Sequence, residues 1–109
     1  MKFTFDEATE LWWSEPGPQG LSWDEAEALA RKQDGDCCQA KTHELMYLYE
    51  FGSKEIIKPM RQKFFWASNP PAFEPYQRAY VYIGNDVCMD GIRDNDKNND
   101  DMYTVFVKK

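Results

Sequence analysis

A chain of 109 residues with nineteen acidic and thirteen basic side chains carries a net charge of -6 and has a pI near 4.7. That length suits one domain over residues 1–109, and the negative average field repels phosphate backbones and anionic lipid, which sets nucleic acid and membrane surfaces aside as partners. The apolar runs fall far short of the ~20 residues that span a bilayer. Four Trp, six Tyr and seven Phe nevertheless supply material for a real core, despite a mean hydropathy of -0.76.

The first residues, Met1-Lys2-Phe3-Thr4-Phe5-Asp6-Glu7, place acids where a signal peptide would carry its uninterrupted apolar stretch, so no export signal is read. Cys37, Cys38 and Cys88 cannot all pair within the chain, and adjacent cysteines bridge only with strain. Reduced thiols in the cytoplasm are the expectation. Phe3, Phe5, Leu11, Trp12 and Trp13 flank Asp6-Glu7-Ala8-Thr9 and predict a short hairpin over residues 3–13. Two Pro and two Gly within Ser14-Glu15-Pro16-Gly17-Pro18-Gln19-Gly20 predict a loop. Ser22-Trp23-Asp24-Glu25 is a capping box, with Leu21 placed to staple onto Ala26, and it starts a helix whose apolar stripe is Trp23, Ala26, Leu29 and Ala30. Arg31 and Lys32 suit its C-terminal end, and Gly35 lies just beyond.

A second helix opens at Thr42, carries Leu45, Met46, Leu48, Tyr49 and Phe51, and stops at a left-handed Gly52. Beyond Pro59 the helices give way to a strand over Phe64-Phe65-Trp66-Ala67-Ser68, closed by Asn69-Pro70-Pro71, since prolines cannot donate to a ladder. Residues 79–83 and 102–107 are rich in β-branched and aromatic side chains and form the two strongest strands. The acidic stretch between them is a long excursion, with Val87-Cys88-Met89 continuing the ladder for a few residues. The plan is α+β, two helices and a sheet.

The order of these signals resembles the bacterial C-type-lectin-like domains of unknown function, distant relatives of the formylglycine-generating, sulfatase-modifying enzymes. Ala8-Thr9-Glu10-Leu11-Trp12-Trp13 is similar to that family's ATGLMW first strand, and Leu21-Ser22-Trp23-Asp24-Glu25-Ala26 to its LTWEEA helix start. Thr42-His43-Glu44-Leu45 to Tyr49 looks like its second helix, and Phe65-Trp66-Ala67-Ser68 resembles its YWSS strand. The chain departs from the pattern at Cys38-Gln39-Ala40-Lys41-Thr42, where the family has WRLPT, and at Val107-Lys108-Lys109, where it has a terminal RC segment. The resemblance implies a C-type-lectin-like fold, two helices packed with a small twisted antiparallel sheet, that displays loops for binding proteins, sugars or other ligands, and fold analogy supplies no particular ligand.

Candidate chemistry is sparse. Asp94, Asp96, Asn98 and Asp100 put oxygen ligands at alternating positions, the spacing of a calcium loop, but Asn99 and Val105 stand where an EF-hand needs Gly and a bidentate Glu. A solvated turn-rich loop is the simpler reading. Cys37-Cys38 lacks dithiol spacing, and His43 with the three cysteines has no recognised zinc spacing. His43, in the first turn of the second helix, has no nucleophile motif tied to it, and a surface histidine is the simpler reading. No catalytic residue is assigned and no cofactor is expected beyond the calcium alternative. The aromatic surplus points elsewhere: Trp12 and Trp13 must face opposite sides of a strand, and aromatics near Arg or Pro anchor protein interfaces. Trp12, Trp13, Trp66, Phe73, Tyr76 and Arg78 are therefore the candidate binding residues. The leading expectation is a non-enzymatic protein-binding module of inhibitor, immunity or adaptor type, engaging another protein or itself. The alternative is a calcium-dependent carbohydrate-binding domain.

Overall fold

The computed structural model describes residues 2–33, 35–68, 77–95 and 100–109. The N-terminal hairpin forms from β1 (Phe3–Asp6) and β2 (Leu11–Ser14), with Phe5 opposite Trp12. Its turn is organised by a buried carboxylate. Asp6, 2% exposed, accepts from the Thr9 N–H at 2.8 Å and the Thr9 hydroxyl at 2.7 Å, and Glu10 completes the turn in the left-handed region at φ 58°. The same carboxylate accepts from the Ser53 N–H at 2.8 Å, which ties the hairpin to a helical segment 47 residues away in sequence.

The segment read as a plain loop contains β3 (Gly17–Gln19), a short edge strand. Pro18 is tolerated there because an edge strand leaves one row of N–H groups without a ladder partner. The capping box then works as the sequence requires: the Glu25 N–H donates to Ser22 Oγ at 3.1 Å and the Ser22 N–H to Glu25 Oε1 at 2.9 Å, opening α1 (Trp23–Arg31). After β4 (Cys38–Gln39), Lys41 caps α2 (Thr42–Phe51), its N–H donating to Glu44 at 2.8 Å.

Gly52 ends α2 for a different reason from the expected left-handed turn. Its φ is -79°, in ordinary space, but a Cβ there would collide with Leu48 Cδ1 and lie 2.6 Å from the Leu48 carbonyl oxygen. Close approach, not φ, demands glycine. Phe51, the last residue of α2, is 68% exposed, because the inward positions of α2 are Leu45 and Leu48. A third short helix, α3 (Lys54–Ile57), and a 3-10 turn (Lys58–Met60) follow and bury Ile56, Ile57 and Met60.

The remaining strands are β5 (Lys63–Trp66), β6 (Gln77–Ile83), β7 (Cys88–Asp94), β8 (Met102–Thr104) and β9 (Phe106–Lys108). Two sheets result, ordered β1-β2-β9-β4 and β3-β8-β5-β6-β7. The run expected as one strand over 102–107 is thus split at Val105, its halves belonging to different sheets, and β5 lies parallel to β8 while the other pairs are antiparallel. Much of the acidic excursion is strand, since β7 pairs with β6 through all seven of its residues.

The five-stranded sheet is covered on both faces. Phe65, Val81, Ile83, Val105 and Val107 pack with Leu45, Leu48, Trp13 and Met60 in the main core, whereas Trp66 and Met102 turn the other way to meet Ala26 of α1. Replacing Asp6 with Ala strands the Thr9 and Ser53 N–H groups in a buried site. We expect a loss of about 3 kcal/mol of unfolding free energy in urea titration, against less than about 0.5 kcal/mol for exposed Asp90→Ala.

Candidate functional site

Large apolar side chains left in water mark interaction surfaces when they cluster. Strand alternation sends Trp13 into the core and Trp12 out of it, as adjacent residues must go. Trp12 is 40% exposed and lies against Phe5, 43% exposed, with ring centroids 5.3 Å apart. Lys108 of β9, opposite Trp12, places its ammonium 4.4 Å from the Phe3 ring on this same outer face. On α2, Tyr47 and Phe51 are one turn apart and meet edge to face at 4.9 Å.

The two aromatic pairs flank one turn. A shallow groove of about 470 Å³ runs between the hairpin turn and α2, lined by Ala8, Leu11, His43, Tyr47 and Lys109. A second hollow beside it is walled by Phe5 and Phe51. Phe5 and Phe51 thus share a hollow at the hairpin turn, with Trp12 stacked beside the first and Tyr47 beside the second.

Of the expected binding residues that are described, Trp12 alone sits on this face. Trp13 and Trp66 are corrected: both are buried, at 1% and 0% exposure, and their indole N–H groups are satisfied internally by Thr9 Oγ1 and the Leu21 carbonyl, each at 2.9 Å. They hold the fold and offer no surface. Arg78 is half-buried, with its guanidinium 4.8 Å from the Trp23 ring and 3.9 Å from Asp24. That position makes it a tie between β6 and the start of α1. Phe73 and Tyr76 lie outside the described residues.

Asp96 and Asn98 of the supposed calcium set also lie outside the described residues. Asp94 ends β7 opposite Gln77, and the Asp100 carbonyl accepts from Gln19 Nε2 at 2.8 Å. Neighbouring polar groups are engaged in tying this segment down. Asn95 accepts from the Trp23 N–H at 2.7 Å and donates to Asp24 at 2.8 Å, while Asp101 receives both terminal nitrogens of Arg93. The hydrogen bond from Arg93 holds the Asp101 carboxyl below its usual range. Among the described residues no three His, Cys, Asp or Glu side chains gather where they could hold a metal ion.

Sequence reasoning missed Phe5, Tyr47 and Phe51 as surface residues. The readable signal was spacing: Tyr47 and Phe51 stand one helical turn apart on the side away from Leu45 and Leu48, and Phe5 falls opposite Trp12 once the hairpin register is set.

No protein-family model and no curated protein matches the sequence. A solved crystal structure does match: EMS16, an antagonist of the collagen receptor integrin alpha2beta1, superimposes over 97% of this chain and 95% of that one, with a TM-score of 0.63 at 11% identity. At that identity the likeness is one of fold, and the chain has a C-type-lectin-like α+β architecture.

The three cysteines are free, and their surroundings suppress thiolate formation. Burial first, then the Cys38 charge, raises Cys37; burial first, then Glu44 and Glu27, raises Cys38. Burial, with Asp90 and Glu50 nearby, pushes Cys88 from its ordinary 9.0 up to about 11. A nucleophilic thiol needs the opposite environment. Because the folded state holds the Cys88 proton more tightly than the unfolded chain does, its contribution to stability is complete below pH 9 and is lost as pH rises toward 11. Melting temperature should fall over that interval less steeply in Cys88→Ala. At pH 8, iodoacetamide should label Cys88 at least about tenfold more slowly than it labels the urea-unfolded chain.

Proposed function

We propose that this protein is a non-enzymatic, cytoplasmic protein-binding module of inhibitor, immunity or adaptor type that docks through Phe5, Trp12, Tyr47 and Phe51. The observation that carries the reading is the face itself: four aromatic side chains, each at least 40% exposed, gathered as two touching pairs around one turn. They leave about 400 Å² of aromatic surface in water. That is the size of the largest apolar patch on a typical monomer, and about half of the ~800 Å² per partner that a specific interface buries.

Other observations agree with a binding role. The thiols are held protonated, and His43 is an exposed residue in the first turn of α2. EMS16, which shares the fold, is an antagonist of a protein receptor. The motif resemblance to bacterial C-type-lectin-like domains, distant kin of the formylglycine-generating enzymes, belongs to the same reading: it keeps a binding scaffold without a matched catalytic cysteine. The partner is another protein or a second copy of the chain.

Affinity capture with the intact protein as bait, set beside a Trp12→Ser/Phe51→Ser bait, tests this. Both side chains are exposed, so the double variant should keep its melting temperature within a few degrees. The partner, or self-association in sedimentation, should be lost with it. Equal recovery on both baits, or nothing recovered and a strictly monomeric protein, overturns the reading. Millimolar calcium should leave melting temperature unchanged. A rise reversed by chelator would favour the calcium-dependent carbohydrate-binding alternative, because a ligand of the native state must stabilise it.

A further inference from the structure

A sheet edge offers unpaired main-chain donors and acceptors to any extended chain, and folded proteins blunt such edges. Here the two sheets end in β1, β4, β3 and β7. β4 has two residues, β1 has four, and β3 has three with Pro18 at its centre. β7 is different: it runs for seven residues without proline, and Met89 and Ile92 are 53% and 44% exposed, one on each of its faces. Val87, just before it, is 46% exposed.

The register shows which main-chain groups are on offer. Gly84 donates to the Val87 carbonyl at 2.7 Å, closing a tight turn and fixing the alternation along the β6–β7 ladder. Cys88, Asp90 and Ile92 then stand opposite Ile83, Val81 and Ala79 in the pairs whose main-chain groups face away from each other. On the β6 side this is visible directly, since the Ile83 and Ala79 carbonyls accept from Gln62 and Ala67 in the β5 direction. On β7 the N–H and C=O groups of Cys88, Asp90 and Ile92 therefore point outward from the sheet.

Charge decides between occupants. Asp90 and Asp86 are exposed along this edge, and Glu50 of α2 lies beside it, close enough that it and Asp90 both act on Cys88. The cation of β7, Arg93, faces the opposite side of the strand, over Phe64 and Tyr80, and is paired with Asp101. A second copy laid antiparallel on β7 would bring two rows of Asp90 and Asp94 together while Arg93 of each strand faces the other way, an arrangement that costs energy. A basic strand has no such conflict.

We propose that β7 is a docking edge for an extended, lysine- or arginine-containing segment of another protein, which adds as a sixth strand to the five-stranded sheet. Outward main-chain groups at Cys88, Asp90 and Ile92 supply the ladder. Ile92 and Met89 supply apolar contacts on either face, and Asp90, Asp86 and Glu50 select positive charge. This surface is separate from the aromatic face, and either can fail without the other.

The test uses the full chain, labelled with ¹⁵N, and a capped peptide of alternating valine and lysine as probe. Amide shifts confined to residues 86–94 and the facing turn of α2 are expected, with affinity falling steeply as salt is raised. Asp90→Lys should weaken binding by about tenfold or more. Ile92→Pro, which removes an outward N–H without touching the β6 ladder, should abolish binding, while Ile92→Thr keeps it within about threefold. Should Ile92→Pro fail to fold, Asp90→Lys decides alone. The proposal is overturned by shifts centred elsewhere, by equal binding of a valine–glutamate peptide, or by indifference to Asp90→Lys.

Discussion

Val105 stands where the chain leaves one sheet and enters the other. On its N-terminal side β8 pairs with β3 and β5; on its C-terminal side β9 pairs with β2 and β4. Seven residues, Met102 to Lys108, thus stitch strands from the first and middle thirds of the sequence, and the buried Phe106 N–H donates to Ser14 Oγ at 2.8 Å across 92 residues. Neither sheet closes until this last segment is in place. Such contacts impose a large loop-closure cost before they return any stabilisation, which marks the fold as one of high contact order. Everything that positions the aromatic face hangs from it, since β2 is held between β1 and β9.

Local chemistry was the part of the fold most open to reading from sequence. The Ser22 capping box needs only four neighbouring residues, and it forms as spelled. The alternation of Trp12 and Trp13 needs only that the segment be a strand. What escaped was decided by distant partners. Continuous β-forming residues over 102–107 say nothing about which sheet each half joins. Asp90 and Gly91 discourage a strand in isolation, yet β7 forms because β6 offers it a complete antiparallel template. Gly91 has a packing reason as well: a Cβ there would lie 2.7 Å from the ring of Tyr80, which rests across it.

For the candidate site, the sequence shows which residue types are in surplus and leaves open which of them reach the surface. A surplus of aromatic residues signalled a sticky surface, but burial depends on which face of each element meets the core. Trp66 is as available in the sequence as Trp12, but α1 covers it, and Phe51 reaches the surface because α2 turns Leu45 and Leu48 inward. A run of Asp and Asn reads as a solvated loop in isolation, whereas Arg93, Asn95 and Asp101 fasten its described ends to the sheet and to α1.

The bridge from Asp6 to Ser53 has a consequence beyond holding a turn in shape. The aromatic face is assembled from two separate pieces of chain, Phe5 and Trp12 on the hairpin and Tyr47 and Phe51 on the helix. Asp6 follows Phe5 directly, and Ser53 comes two residues after Phe51, so one carboxylate clamps both halves at a fixed separation. For the binding role proposed above, a partner would meet the two halves at a separation already set by the fold. Little conformational entropy remains to be surrendered on contact, and more of the apolar gain survives as affinity.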